Sequence, residues 1–336
     1  MILRRFIAAR SAASLQLIEM DRRRTLFRIL RILLGGAAVL VLAFPAHAQA
    51  WGPLAHLSFS AQALGNVSVL GLDVQGLLQG HGNDFLYGSL AADIVVGKNL
   101  ARFIHHCHNW KVGFGLFDEA RAGAEKAFAL GFLAHLAADT VAHNYFVPYK
   151  TVTSFGRLGT GHGYWELRYD QKIDPEMWRL ARRVSTRAIR EHDDLLHRVL
   201  TSASLLPFPV SRQLFGSLLA SARIRRFQHV SRMALARERR LVLEPDLVAE
   251  TNILSTGAVL GLLADGQDCR AARADATGER NLRMAKLIRK QLGQRVRRRQ
   301  LTRSEATEIA QMTRESFRRA IHGKLVLPPS VAALAA

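Results

Sequence analysis

The chain is short of cysteine, of acid and of long apolar runs. Cys107 and Cys269 are the only thiols among 336 residues. Two thiols make no disulfide scaffold; one bridge is the most they could form, in an oxidising compartment. Acidic side chains number 27 against 47 Lys and Arg, a net charge of +20. Such a surface suits anionic partners, whether phospholipid headgroups, nucleic acid or other phosphate esters, and does not choose among them. The longest apolar run, Leu30–Phe44, is broken by Arg31 and a glycine pair and is too short to span a bilayer comfortably. Internal repeats and coiled-coil heptads are also missing. What remains is an ordinary composition, 49% apolar and 22% charged, long enough for a large core in one or two domains.

The first segment, residues 1–50, reads as a leader. It carries eight Arg against two acids. Arg22-Arg23-Arg24 precedes the apolar run, and Pro45-Ala46-His47-Ala48-Gln49-Ala50 follows it. A basic start, a short apolar run and an Ala-x-Ala end have the form of an export signal. Met20 could be the start of that signal, and the general route suits it better than the twin-arginine one; an uncleaved anchor is the alternative. The expected location is therefore periplasmic or secreted. A cut after Ala50 would expose an α-amino group at Trp51, which with its carbonyl oxygen could chelate a metal.

The richest stretch is Phe128–Phe146. His135, Asp139 and His143 stand four residues apart in an otherwise apolar, alanine-rich run. On an α-helix these positions share a face, drifting by about 40° per step. Burying ionisable groups singly costs several kcal/mol, so they require partners. Candidates lie nearby, since residues 51–170 hold eight of the thirteen histidines. They include His56, the cluster His105-His106-Cys107-His108, and His162…Glu166 at helical spacing; Asp93 sits in an apolar frame. A lone histidine on an apolar helix face is ordinarily a hydrogen-bonded core residue, and His81 and His105 read as solvated. The combination is harder to explain that way. Nitrogen and carboxylate donors without thiolates suit catalytic zinc, and manganese or iron less well. So many donors exceed the need of one ion, which implies a cluster of two or three. Paired metals clamp the attacking and leaving oxygens of a phosphoester displacement.

These residues resemble the zinc-dependent phospholipase C family, which shares an all-helical fold with the P1/S1-type nucleases. The matching pieces are Trp51-Gly52…His56, Gly88…Ala92-Asp93-Ile94, His108-Asn109-Trp110, His135…Asp139…His143 and His162…Glu166. The resemblance implies an all-α helical bundle and three zinc ions. Trp51 and His56 would hold one. His135, Asp139 and either His106 or His108 would hold a second, with Asp139 bridging the two. His143, His162 and Glu166 would hold the third. His108 fits the local motif and is preferred; His106 fits the spacing. Asp93 would be the active-site carboxylate that takes a proton from the attacking water, although Ala92 stands where the family usually has proline. The implied substrate is a phospholipid, or another phosphodiester such as nucleic acid under the nuclease alternative. A third reading is a non-catalytic protein that keeps a metal cluster and binds lipid or a surface.

The element boundaries expected from residue type are these. Gly71–Asn83 reads as loop, because it carries four glycines. Glu119–Ala142 reads as one helix, stopped at Val147-Pro148. Tyr87, Tyr145, Phe146, Tyr164 and Trp165 are aromatics near the donors, of the kind more often found in core. Residues 171–336 carry no catalytic motif. Asp174-Pro175-Glu176 starts a helix reaching about Ser202, a second covers roughly 211–230, and Glu244-Pro245-Asp246 starts a third that ends at Gly266. Asp268–Gly278 reads as polar loop. Thr302…Glu305 is a capping box. Residues 281–320 hold twelve Lys or Arg against three Glu. This region is expected to complete or cover the metal-site domain of residues 51–170, its basic face solvated or set against an anionic membrane. The tail after Pro328-Pro329 is expected to fray.

Overall fold

The structure is a computed structural model, and it describes residues 51–94, 108–121, 123–157, 162–186, 190–200 and 243–335. The leader, His105, His106, Cys107 and the helix expected over 211–230 lie outside the described residues, as does the side chain of His162. Among the described residues the regular elements are all helical, as the sequence implies.

Helix α5, Gly123–Val141, is the central rod. Phe128, Phe132, Leu133 and Leu136 are buried on several of its sides. A helix apolar all round must sit inside, and each such side chain contributes about 1.5–3 kcal/mol on burial. Around it pack α1 (Pro53–Gly65), α3 (Gly82–Ile94), α4 (Trp110–Glu119) and α10 (Pro245–Asp265). The segments 51–170 and 171–336 thus share one core, within the compact unit 47–336.

The α3–α5 crossing is made by two glycines. A Cβ on Gly88 would lie 1.9 Å from the Phe128 carbonyl oxygen, and one on Gly131 would lie 1.9 Å from that of Phe85. The two backbones therefore touch. That contact brings the Ser89 carbonyl, next to Gly88, within 2.9 Å of His135 Nδ1.

Several boundaries depart from the residue-type reading. Gly71–Asn83 is mostly helix: α2 spans Leu72–Gly80 and α3 starts at Gly82. Leu78 is buried there and Val74 and Leu77 pack on the core, which offsets the glycine cost of about 1 kcal/mol each. Glu119 ends α4 instead of starting α5, since Ala120 is extended at ψ 126°. Nor does Pro148 stop the rod. Residues Ala142–Phe146 form a π turn, in which the Val147 amide bonds back to the Ala142 carbonyl, and α6 (Val147–Thr153) continues beyond it. The wider turn falls where Pro148 cannot donate an amide, so Val147 keeps helical angles before a proline. The tail is also ordered: Pro329–Ala335 is helical, with Val331 and Leu334 buried.

The remaining helices are α7 (His162–Asp170), α8 (Glu176–Thr186), α9 (Arg190–Leu200), α11 (Glu279–Arg297), α12 (Arg303–Gln311), α13 (Thr313–Arg319) and α14 (Pro329–Ala335). Asp174 Oδ1 accepts from the Glu176 amide, and Thr302 and Glu305 form the expected capping box. Helix α10 starts at Pro245 as expected and closes at Gly266, whose φ is +55°. It is long and apolar enough to cross a membrane by length and composition, but it packs on α5 and α1.

Candidate metal centre

Asp139, on the inner face of α5, is fully buried. Its Oδ1 lies 3.2 Å from His56 Nε2, from α1. Its Oδ2 lies 3.3 Å from both His108 Nε2 and His135 Nε2. Those two nitrogens are 3.0 Å apart. The Asp139 oxygens nonetheless have no partner at hydrogen-bond geometry among the described residues, and neither do the two His56 ring nitrogens. Buried polar atoms this close, without a well-formed hydrogen bond, are placed where they could share a cation. Ligands about 2.0–2.2 Å from a tetrahedral zinc stand about 3.3 Å from one another, which is the spacing found here. The residues present therefore fit zinc. His56, His135 and Asp139 form one group able to hold an ion, and Asp93, His108 and His135 form another.

The tautomers agree. His135 Nδ1 donates to the Ser89 carbonyl and His143 Nδ1 to that of Ala276. A neutral ring fixed in this way carries its lone pair on Nε2, the state in which histidine ligates metals. The His56 and His135 rings lie nearly parallel with centroids 3.6 Å apart, so two protons on the pair would repel. Burial, reinforced by His135, pushes the His56 imidazole down. Burial also disfavours charge on His135, but Asp139 and Asp93 outweigh it and raise that imidazole. Burial likewise works against charge on Asp139, yet His135 and His56 hold its carboxyl well below the usual range. Metal binding at His135 Nε2 requires the neutral ring, so it weakens in acid.

Asp93, at the end of α3, is buried with Oδ1 3.8 Å from His108 Nε2 and 3.9 Å from His135 Nε2. His143 lies on the π turn and Glu166 on α7, both buried. Of the alternative histidines, His108 is in the cluster; His106 lies outside the described residues. Trp51 is buried, its indole Nε1 donating to the Ala138 carbonyl at 3.1 Å and its ring packed against Phe59, Phe146 and Tyr169. The bond to Ala138 sets Trp51 beside Asp139. Of the five aromatics singled out from the sequence, Tyr87, Tyr145, Phe146 and Trp165 are core residues.

Asp170 carries no signal in the sequence. It ends α7, one turn after Glu166, and accepts from the Leu54 and Ala55 amides at 3.3 and 3.1 Å. It thereby caps α1, the helix that carries His56. A Cβ at Gly52 would lie 2.1 Å from its Oδ2, so only glycine admits this carboxylate. Burial pushes Asp170 up to about 8, the two amide bonds opposing it and Glu166 and Asp93 adding to it. Its folded value is raised above the unfolded one, so between about pH 4 and 8 the folded chain holds a proton that the unfolded chain has lost. Stability of the protein in excess chelator is therefore expected to fall across that window as pH rises. Bound cations would offset this slope. Urea unfolding at pH 5 and pH 8 checks it: the drop should be smaller in Asp170→Asn than in the parent chain.

Against known proteins, residues 55–204 match the family model described as zinc dependent phospholipase C. No curated protein and no solved structure gives a match. The family resemblance seen in the sequence is thus borne out over that segment.

Proposed function

Taking that family as premise, we propose that the chain is an exported, zinc-dependent phosphodiester hydrolase that cleaves phospholipids in the manner of a phospholipase C. The observation that carries this reading is the triangle of His108 Nε2, His135 Nε2 and Asp139 Oδ2, with sides of 3.0 to 3.3 Å. These three would hold one ion. His56, with the Trp51 amino and carbonyl groups if the leader is cut before it, would hold a second, and Asp139 would serve both. His143, His162 and Glu166 are the donors for a third.

Zinc, when bound, supplies Lewis acidity toward a phosphoryl oxygen and toward the attacking water. The chain does the rest. Asp93 stands beside the His108–His135 pair, where it can accept the proton of a water directed at phosphorus. Asp139 fixes the separation of its flanking histidines. The Ser89 and Ala276 carbonyls hold the tautomers of His135 and His143, so no ring turns during turnover. A P–O bond to the water oxygen would form as the P–O bond to diacylglycerol breaks, and the departing alkoxide would take up the proton that Asp93 accepted. The basic surface supports an anionic membrane as the docking partner.

The nuclease alternative draws support from Trp51-Gly52…His56 and from the same basic charge. A substrate panel separates the readings. The purified protein is expected to release diacylglycerol from phosphatidylcholine, to stop in chelator and to recover with zinc. Cleavage of single-stranded DNA alone would replace the lipase by a nuclease. Bound zinc with no hydrolysis of either substrate would leave only the non-catalytic reading.

A further inference from the structure

The segment after the 3₁₀ turn Ala271–Arg273, Ala274–Gly278, lies well beyond the family match and carries no chemistry in its side chains that the site uses. Its backbone is placed unusually. Three successive carbonyls each accept from a side chain of the metal-site half. Ala274 O takes the Trp110 indole Nε1 at 2.8 Å. Asp275 O takes Asn144 Nδ2 at 2.9 Å. Ala276 O takes His143 Nδ1. Trp110 follows His108 by two residues, and Asn144 follows His143 directly. One strap therefore grips both ligand-bearing elements.

The strap is itself shaped from within. The Asp275 carboxylate accepts from the amides of Thr277 and Glu279 at 2.9 and 3.2 Å, closing the turn into α11. Gly278 has φ +53°, and a Cβ there would lie 2.4 Å from the His143 carbonyl oxygen. On α11, Asn281 Nδ2 donates to Asn144 Oδ1 at 2.9 Å, while Asn144 Nδ2 also reaches the Thr140 carbonyl. Asn144 is buried, so its amide is held at both ends. A side chain so fixed leaves the π turn, and hence His143, one orientation.

We infer that Ala274–Gly278, with Trp110, Asn144 and Asn281, is a positioning strap by which the C-terminal half sets the orientation of His143 and of the His108 element for zinc. This rests on the metal reading proposed above. Its residues touch the ligands or their neighbours, not substrate. Groups that orient ligating histidines are worth about 10- to 100-fold in metal affinity.

The test uses Asn281→Ala and Trp110→Phe in the full chain. Trp110→Phe keeps an aromatic ring against Phe114 and removes the indole N–H together with part of the ring system. Zinc affinity is read by competition with a chromophoric chelator, and unfolding is followed separately in excess chelator. Each variant is expected to lose zinc about 10- to 100-fold more readily, while its unfolding midpoint in chelator stays within a few degrees of the parent. If both variants bind zinc as the parent does, the strap is overturned and the metal reading stands. If the midpoints in chelator collapse and zinc affinity is unchanged wherever the fold survives, the role is structural only and the strap is again overturned. If the parent chain binds no zinc, the metal reading falls and takes the strap with it.

Discussion

Asp139→Asn is expected to strip zinc from the protein and to lower phosphodiester hydrolysis about a thousandfold. The substitution removes charge at constant shape. The asparagine fills the same volume, so the packing of α5 is kept. What is lost is the anion that stands 3.2 Å from His56 and 3.3 Å from His108 and His135. With it goes the group able to serve two ions at once. Metal catalysis supplies several kcal/mol of transition-state stabilisation, and each 1.36 kcal/mol is tenfold in rate. The histidines can fall back on their neutral forms, so the variant should fold in chelator like the parent. Metal analysis and a hydrolysis assay check the two halves of the expectation. A full zinc complement in the variant would refute the bridging role.

The second large effect concerns the frame. Gly131→Ala puts a methyl group 1.9 Å from the Phe85 carbonyl oxygen and 2.9 Å from the Ser89 amide. Neither is the far end of a flexible side chain. The helices must separate, at a cost of about 3 kcal/mol. The Ser89 carbonyl then withdraws from His135 Nδ1, so zinc should bind more weakly as well as the fold being less stable. Gly257→Ala on α10 is the matched control. Nothing lies within 4 Å of that position, and a helical interior favours alanine over glycine by about 0.5–1 kcal/mol. Urea unfolding in chelator should move the two variants in opposite directions.

These residues also mark how far the sequence could be read. The face of His135, Asp139 and His143 was visible because helical spacing is visible, and isolated ionisable groups in an apolar run demand partners. His56, Asp93 and His108 were legible only as members of a motif set, since each alone has an ordinary explanation. The structure brings these three to Asp139 and His135. What could not be read was the scaffolding of the tautomers. Ser89 and Ala276 act through their carbonyls, and a carbonyl belongs to every residue alike. Asp170 belongs to no motif, because its role lies in amides of a helix more than a hundred residues away. The glycines of Leu72–Gly80 suggested loop, because burial of Leu78 is a tertiary fact. Pro148 suggested a helix end, because a π turn that absorbs it depends on a bond between backbone atoms five residues apart.

The distance along the chain between His143 and its carbonyl partner bears on the order of assembly. The bond from His143 to Ala276 closes a separation of 133 residues, and Trp110 to Ala274 closes 164. A polypeptide lengthens by about 5–20 residues per second during synthesis. Helix α5 is therefore complete many seconds before the loop that locks its last histidine exists. Contacts of this span form late, because the entropy of closing the loop is spent before the contact is made. Until that loop exists, His135 already has the Ser89 carbonyl to hold its ring, but His143 has no Ala276 carbonyl to hold its own. High zinc affinity then depends on the last third of the protein, and a chain truncated before residue 276 would lack the carbonyl that orients His143.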